Sequence, residues 1–252
     1  MTRPSLRRAA LALVAAPLAL GLAACDKDTS GSASPSGEPI AKIAAPAGKS
    51  WTDTVVKTEL GGYRMGNPDA PIKLVEYGAL SCSHCADFSN KSSAELRDKF
   101  VGSGRVSYEL RLFMLNAIDV TASLLITCGA PETVPTLAEQ FWAWQPEMFA
   151  KLQSAGDAQM QAISKQPPAT QFASMAKVTG MDEFIKARGI AADQAAQCLA
   201  DTKKATAFAD ATQKQGAEFE VTGTPTFLIN GTKFEGNTWE QVKAQLERLG
   251  AR

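Results

Sequence analysis

Apolar positions along the chain fall into runs whose period changes, and the changes mark the elements. Thr54 to Glu59 alternates modestly, which predicts a short edge strand, and the turn formers Gly61-Gly62 and Gly66-Asn67-Pro68 follow it. Ile72 to Tyr77 (Ile-Lys-Leu-Val-Glu-Tyr) is a compact apolar run that predicts a central strand. From Cys82 to Phe100 the apolar residues Cys85, Phe88, Leu96 and Phe100 move to near-helical spacing, so the cysteines open a helix. Val106 to Met114 returns to alternation as a second strand. The result is β-α-β with Cys82 and Cys85 at the carboxyl end of the first strand, the edge where open α/β sheets carry their functional groups.

From Ala117 to Gln215 the pattern is helical. Breaks are predicted at Gly129-Ala130-Pro131, Gln145-Pro146, Pro167-Pro168, Gly180 and Gly189, giving a helical insertion of about five helices. Strand signals return in Gly223 to Ile229 and Thr232 to Glu235. Between them stands Asn230-Gly231, whose residues tolerate the positive φ of a two-residue hairpin. Thr238 to Leu249 closes the pattern as an amphipathic helix with Thr238 as N-cap. The expected fold class is α/β, and the expected segments are 1–24, 25–50, 51–116, 117–215 and 216–252.

The first two segments are set by a different pattern. Arg3, Arg7 and Arg8 precede an apolar stretch from Ala9 to Leu22, and Leu22-Ala23-Ala24-Cys25 follows. That order predicts a signal peptide over 1–24. Leu-Ala-Ala-Cys also resembles the bacterial lipobox, which implies that Cys25 is lipidated and that the protein is lipid-anchored on the periplasmic side of a bacterial envelope. The apolar stretch is shorter than the roughly 20 residues of a spanning helix and is interrupted by Pro17. Asp26 to Ser50, rich in Ser, Gly, Pro, Ala and Lys, reads as a flexible tether spanning about 25 to 30 Å by square-root scaling.

Charge and histidine content narrow the chemistry. The 252 residues carry 26 basic and 26 acidic side chains; setting aside the three arginines of the first 24 leaves 23 against 26, a net of −3. Such a balance is a poor match for nucleic acid. His84 is the one histidine of the chain, so Ser-His-Asp triads elsewhere, multi-histidine zinc sites and H-E-x-x-H motifs are excluded.

Five cysteines sort by position. With Cys25 assigned to lipid, Cys82, Cys85, Cys128 and Cys198 form an even set in an exported, oxidising setting. Three pairings are possible in principle. The short gap makes Cys82 and Cys85 the local pair, so Cys128 is expected to bridge Cys198 as a structural disulfide. In Cys82-Ser83-His84-Cys85 the histidine lies inside the pair and Ala86 follows it, unlike a haem attachment motif. Zinc lacks a second ligand pair of the right spacing, so no metal and no cofactor are expected. A Cu(I) chaperone using the two thiols is chemically possible. A purely structural bond across so small a loop stabilises poorly. The redox reading accounts for the placement: a cysteine at a helix start faces free N–H groups and the positive dipole end, which favour its thiolate. Cys82 is then the exposed nucleophile and Cys85 the resolving thiol, with His84 expected to donate a hydrogen bond or positive charge to Cys82.

These residues resemble the DsbA-like branch of the thioredoxin superfamily: C-x-H-C after a strand, a helical domain inserted in a thioredoxin fold, and Thr224-Pro225 before the last hairpin. The resemblance implies a thioredoxin-like fold with an inserted helical domain and a cis Thr224-Pro225 bond facing Cys82, with Thr224 backbone available to an extended substrate. It also implies a buried acid, Glu76, that moves protons to or from Cys85. Exported proteins with cysteines are the implied substrates and a membrane protein the implied redox partner. Ser83 in place of proline and Thr before Pro225 are compatible with oxidase, reductase and isomerase relatives alike. The sequence shows no dimerisation domain before the fold, which favours a monomeric oxidase.

Overall fold

The computed structural model describes residues 37–252. The expected signal peptide, Cys25 and the first part of the tether lie outside the described residues. Among the described residues one mixed sheet is built from β1 (Val55–Lys57), β2 (Tyr63–Gly66), β3 (Ile72–Gly78), β4 (Val106–Leu112), β5 (Thr226–Ile229) and β6 (Thr232–Phe234), in the spatial order β1-β2-β4-β3-β5-β6. β3 and β4 run parallel and the other neighbours antiparallel. β2 falls in the stretch read as turns. Four residues, the last a glycine, are too few to show alternation, and it is pairing with β4, Tyr63 opposite Leu110 and Met65 opposite Tyr108, that makes them a strand.

The helices are α1 (Ser83–Glu95), α2 (Ala117–Ile126), α3 (Val134–Ser164), α4 (Pro168–Thr179), α5 (Met181–Lys186), α6 (Ala192–Leu199), α7 (Thr202–Glu218) and α8 (Trp239–Arg248). Strand alternation divides them between the two faces of the sheet. Leu74, Leu110, Phe227 and Ile229 share one core with Phe88 of α1 and with Trp239, Val242 and Leu246 of α8. Val75, Tyr77 and Leu228 point the other way and pack with Phe113 and Val221. On that second side α7 is pinned to the sheet, with Tyr77 Oη donating to Gln215 Oε1 at 3.0 Å and Met114 N–H to Thr212 Oγ1 at 3.0 Å. The expected end of the insertion at Gln215 therefore falls inside a helix that already belongs to the sheet.

Pro146 does not break the chain as its sequence signal predicts. It sits inside α3, where the flanking Phe141, Trp142, Gln145 and Met148 are all buried, and that packing outweighs the one backbone hydrogen bond a proline removes. The interruption of α3 comes ten residues later, at Gly156, whose φ of 74° and ψ of 165° suit a residue without Cβ. Cys128 and Cys198 are bridged, with Cα atoms 5.8 Å apart, tying the end of α2 to α6. Closing a loop of 70 residues contributes up to about 4 kcal/mol in the chain-entropy view.

The tether also ends earlier than expected. Gly37 N–H donates to Arg248 O at 2.8 Å, Ile40 N–H to Gly250 O at 2.9 Å and Ile43 N–H to Ser103 O at 2.9 Å, so this segment is laid along the domain well before Ser50. The buried Arg105 guanidinium fastens it by reaching both Ile40 O and Arg252 O. Gly104, at φ 73°, allows the close approach, since a Cβ there would collide with the Ile43 carbonyl. Asn230 and Gly231 both adopt positive φ, 51° and 81°, in the expected hairpin turn, and Thr238 caps α8 in a capping box with Gln241.

Candidate active site

β3 ends at Gly78, and a short loop from Ala79 carries the chain to Cys82, the N-cap of α1. Cys82 Sγ accepts the Cys85 N–H at 3.3 Å, and its own thiol reaches the Thr224 carbonyl at 3.1 Å. The Thr224–Pro225 peptide is cis. Cys82 is partly exposed and Cys85 fully buried. The pKa of Cys82 is lowered to about 5, first by the hydrogen bond from the Cys85 thiol; the Thr224 side chain and the N–H groups of Cys85 and His84 add to this, against partial burial. Cys85 is pushed well above the ordinary thiol value by burial, by its hydrogen bond to Cys82 and by the charge of Glu76. One sulfur is thus held as a thiolate and the other as a thiol. The backbone N–H of His84 acts on Cys82, and its side chain is exposed.

Glu76 stands on the central strand with no exposed surface. Its Oε2 accepts the Tyr108 hydroxyl at 2.7 Å, whereas Oε1 has no partner among the described residues. Burial raises its pKa to about 8, with Tyr108 opposing and the charge of Cys82 adding. A cavity of about 40 Å³ lies beside it, lined among others by Ser89, Ser92, Tyr108 and Glu139. That exceeds the roughly 10–15 Å³ a water needs, and hydroxyls and carboxylates are the partners a water takes.

The loop between β3 and α1 is held by the insertion. Trp142 Nε1 donates to Ala79 O at 3.0 Å, and Gln145 Nε2 to Leu80 O at 2.8 Å and Cys82 O at 3.1 Å. Asp119, fully buried at the start of α2, accepts Ser81 N–H at 2.7 Å and Ser81 Oγ at 3.1 Å, and also the N–H groups of Leu115 and Asn116. Asn116 Nδ2 completes the set by donating to Ser81 Oγ at 3.0 Å. None of these four residues emerges from the sequence reading as functional. Asn116-x-x-Asp119 carries the spacing of a capping box, which it forms, but Trp142 and Gln145 meet the loop only through the fold. Among the described residues no three His, Cys, Asp or Glu side chains gather as a metal site.

A cysteine pair with one exposed and one buried sulfur stands at the carboxyl edge of a thioredoxin-like sheet, with inserted helices gripping the loop before it. The chain belongs to the thioredoxin family: the family model described as Thioredoxin matches residues 58–248. It is similar to the protein-disulfide isomerase of Novosphingobium aromaticivorans, at 30% identity and a TM-score of 0.71, over 75% of this chain and 97% of that one. The DsbA1 of Wolbachia pipientis shares the fold at 19% identity and a TM-score of 0.59, over 74% of this chain and 89% of that one. A Rickettsia bellii chain named as a protein-disulfide oxidoreductase is 22% identical over 184 residues, 73% of this chain and 62% of its own length. The chain spans a little over six tenths of the curated relatives it matches first.

Proposed function

We propose that this protein is a dithiol oxidase that passes a Cys82–Cys85 disulfide to the cysteines of exported proteins. The observation that carries the reading is the asymmetry of the two sulfurs, Cys82 half-exposed at the helix start beside Thr224 and Cys85 buried behind it. In the oxidised protein a client thiolate attacks Cys82 Sγ, the bond to Cys85 breaks, and Cys85 leaves and takes a proton. Glu76 is close enough for its charge to act on Cys85 and, with a pKa of about 8, is a neutral acid at pH 7 able to supply that proton. A second client thiolate then attacks the client sulfur of the mixed disulfide, and Cys82 departs as the thiolate its hydrogen bonds favour. The client keeps the disulfide, and the two electrons remain on Cys82 and Cys85 until a membrane redox partner removes them.

Stabilising the Cys82 thiolate stabilises the reduced form, which makes the disulfide oxidising. Equilibration of the full chain with glutathione is expected to give a potential toward about −120 mV, whereas a value near about −270 mV overturns the oxidase direction in favour of a reductase. An isomerase is the second reading, favoured by the name of the Novosphingobium relative, and is distinguished by rescue of a scrambled multi-disulfide client without net oxidation.

We further propose that the protein acts as a monomer on the periplasmic side of a bacterial envelope, anchored by lipid on Cys25. The arginine-flanked apolar run and Leu22-Ala23-Ala24-Cys25 support export and lipidation. Labelled palmitate is expected to enter the wild-type chain and to be lost from Cys25→Ala; equal labelling of the two excludes the anchor.

A further inference from the structure

The face of the sheet opposite α1 is covered by α7, and that cover stops short of the β1–β2 edge. Between them lies a cleft of about 150 Å³. Leu60, Phe113 and Phe208 form apolar walls, and Tyr77 lies in the floor, its ring edge-on to Phe113 at 6.2 Å. Ala207 and Ala211 present only methyl groups from α7, which leaves the space open. A volume of about 150 Å³ with such walls accepts one benzene-sized ring.

The charged side chains that line this space are cationic, while Glu109 pairs with Arg111 beside it and the charges of Glu109 and Glu218 reach Tyr77 in its floor. Lys57, Lys204 and Arg111 line it, and no carboxylate does. Arg111 gives Nε to Glu109 and Nη1 to the Tyr77 hydroxyl, both at 2.7 Å. Lys204 Nζ donates to the Thr127 carbonyl at 2.8 Å, and neither lysine has an ion pair among the described residues. Burial and the charge of Lys57 lower the pKa of Lys204, with Asp201 opposing from its own side. Two repelling ammonium groups at an apolar cleft are relieved by an anion. The floor asks for nothing polar: the Tyr77 hydroxyl is satisfied by Gln215, whose amide in turn donates to the Leu60 carbonyl at 2.9 Å.

We propose that this cleft binds a small arylcarboxylate, its ring against Phe113 and Phe208 and its carboxylate at Lys57 and Lys204. The site lies on the sheet face away from the Glu76 side of the core and is independent of the redox reading.

Phenylacetate, titrated into the full chain and followed by calorimetry and amide chemical shifts, is the test. One saturable site is expected, with shifts centred on Phe113, Lys204 and Phe208. The neutral 2-phenylethanol is expected to bind about tenfold more weakly, which is about 1.4 kcal/mol, and the double variant Lys57→Gln, Lys204→Gln to lose affinity by a similar factor. Ala211→Leu fills the cleft without touching a charge and is expected to abolish binding, its far-ultraviolet spectrum reporting that the fold is kept. Absence of saturation, equal affinity for acid and alcohol, undiminished binding to a folded Ala211→Leu, or shifts centred on Thr224 and Thr226 would each overturn the proposal.

Discussion

Cys85→Ser is expected to collect clients as mixed disulfides on Cys82, and Cys82→Ser to lose exchange altogether. Both outcomes follow from which sulfur is exposed. A client thiolate that has joined Cys82 is freed either by a second client thiol or by Cys85, and in the variant the second route is gone. The remaining Cys82 keeps the Cys85-position N–H at the helix start, so it stays reactive when the resolving thiol is absent. With Cys82 removed, the other sulfur is buried and held protonated, a poor nucleophile on both counts. The check is a non-reducing gel of each reduced variant after incubation with an unfolded client that carries a disulfide, which the Cys82 thiolate attacks, one client sulfur joining Cys82 and the other leaving as a thiolate. Adducts on Cys82→Ser, or their absence on Cys85→Ser, would reverse the roles.

The second large effect is on stability against pH, where two groups work in opposite senses. Glu76 has a folded pKa of about 8 above an ordinary value of 4.5, so the fold favours its neutral form. Its contribution is fully present below 4.5 and is lost as pH rises to 8. Cys82 has a folded pKa of about 5 below an ordinary value of 9, so its contribution is present above 9 and lost as pH falls to 5. In the reduced protein the two slopes oppose each other between 5 and 8. Urea unfolding of the wild type under reducing conditions is therefore expected to change little across that window. Glu76→Gln removes the falling slope and is expected to gain stability relative to wild type as pH rises, by on the order of 4 kcal/mol at pH 8. The oxidised wild type, in which Cys82 does not titrate, is expected to fall over the same range. Parallel curves for Glu76→Gln and wild type would mean that the carboxyl is not desolvated by the fold.

Much of this site is legible from short-range pattern. The change from alternation in Ile72 to Tyr77 to helical spacing after Cys82 locates the cysteines at the sheet edge, and Asn230-Gly231 locates the last hairpin, because each depends on residues a few positions apart. What escapes is set by partners distant in sequence. β2 exists because β4 pairs with it, and Pro146 stays helical because its neighbours are buried. Gln145, whose sequence position next to a proline predicts a break, instead closes two carbonyls of the loop more than sixty residues upstream. For His84 the structure adds a contribution the sequence does not single out, that of its backbone N–H on Cys82. A histidine between two cysteines draws attention to its ring, whereas at a helix start the exposed N–H groups belong to every residue.

Gly37 to Ile43 and Arg252 are gathered by Arg105 at the amino ends of β3 and β4, one strand length from the cysteines, or about 23 Å for the seven residues of β3. Both ends of the described chain thus leave from the pole opposite the chemistry. A surface, bead or fusion partner joined at either end sits behind the domain and does not shade Cys82, so the protein can be immobilised there and still meet bulky unfolded chains head-on.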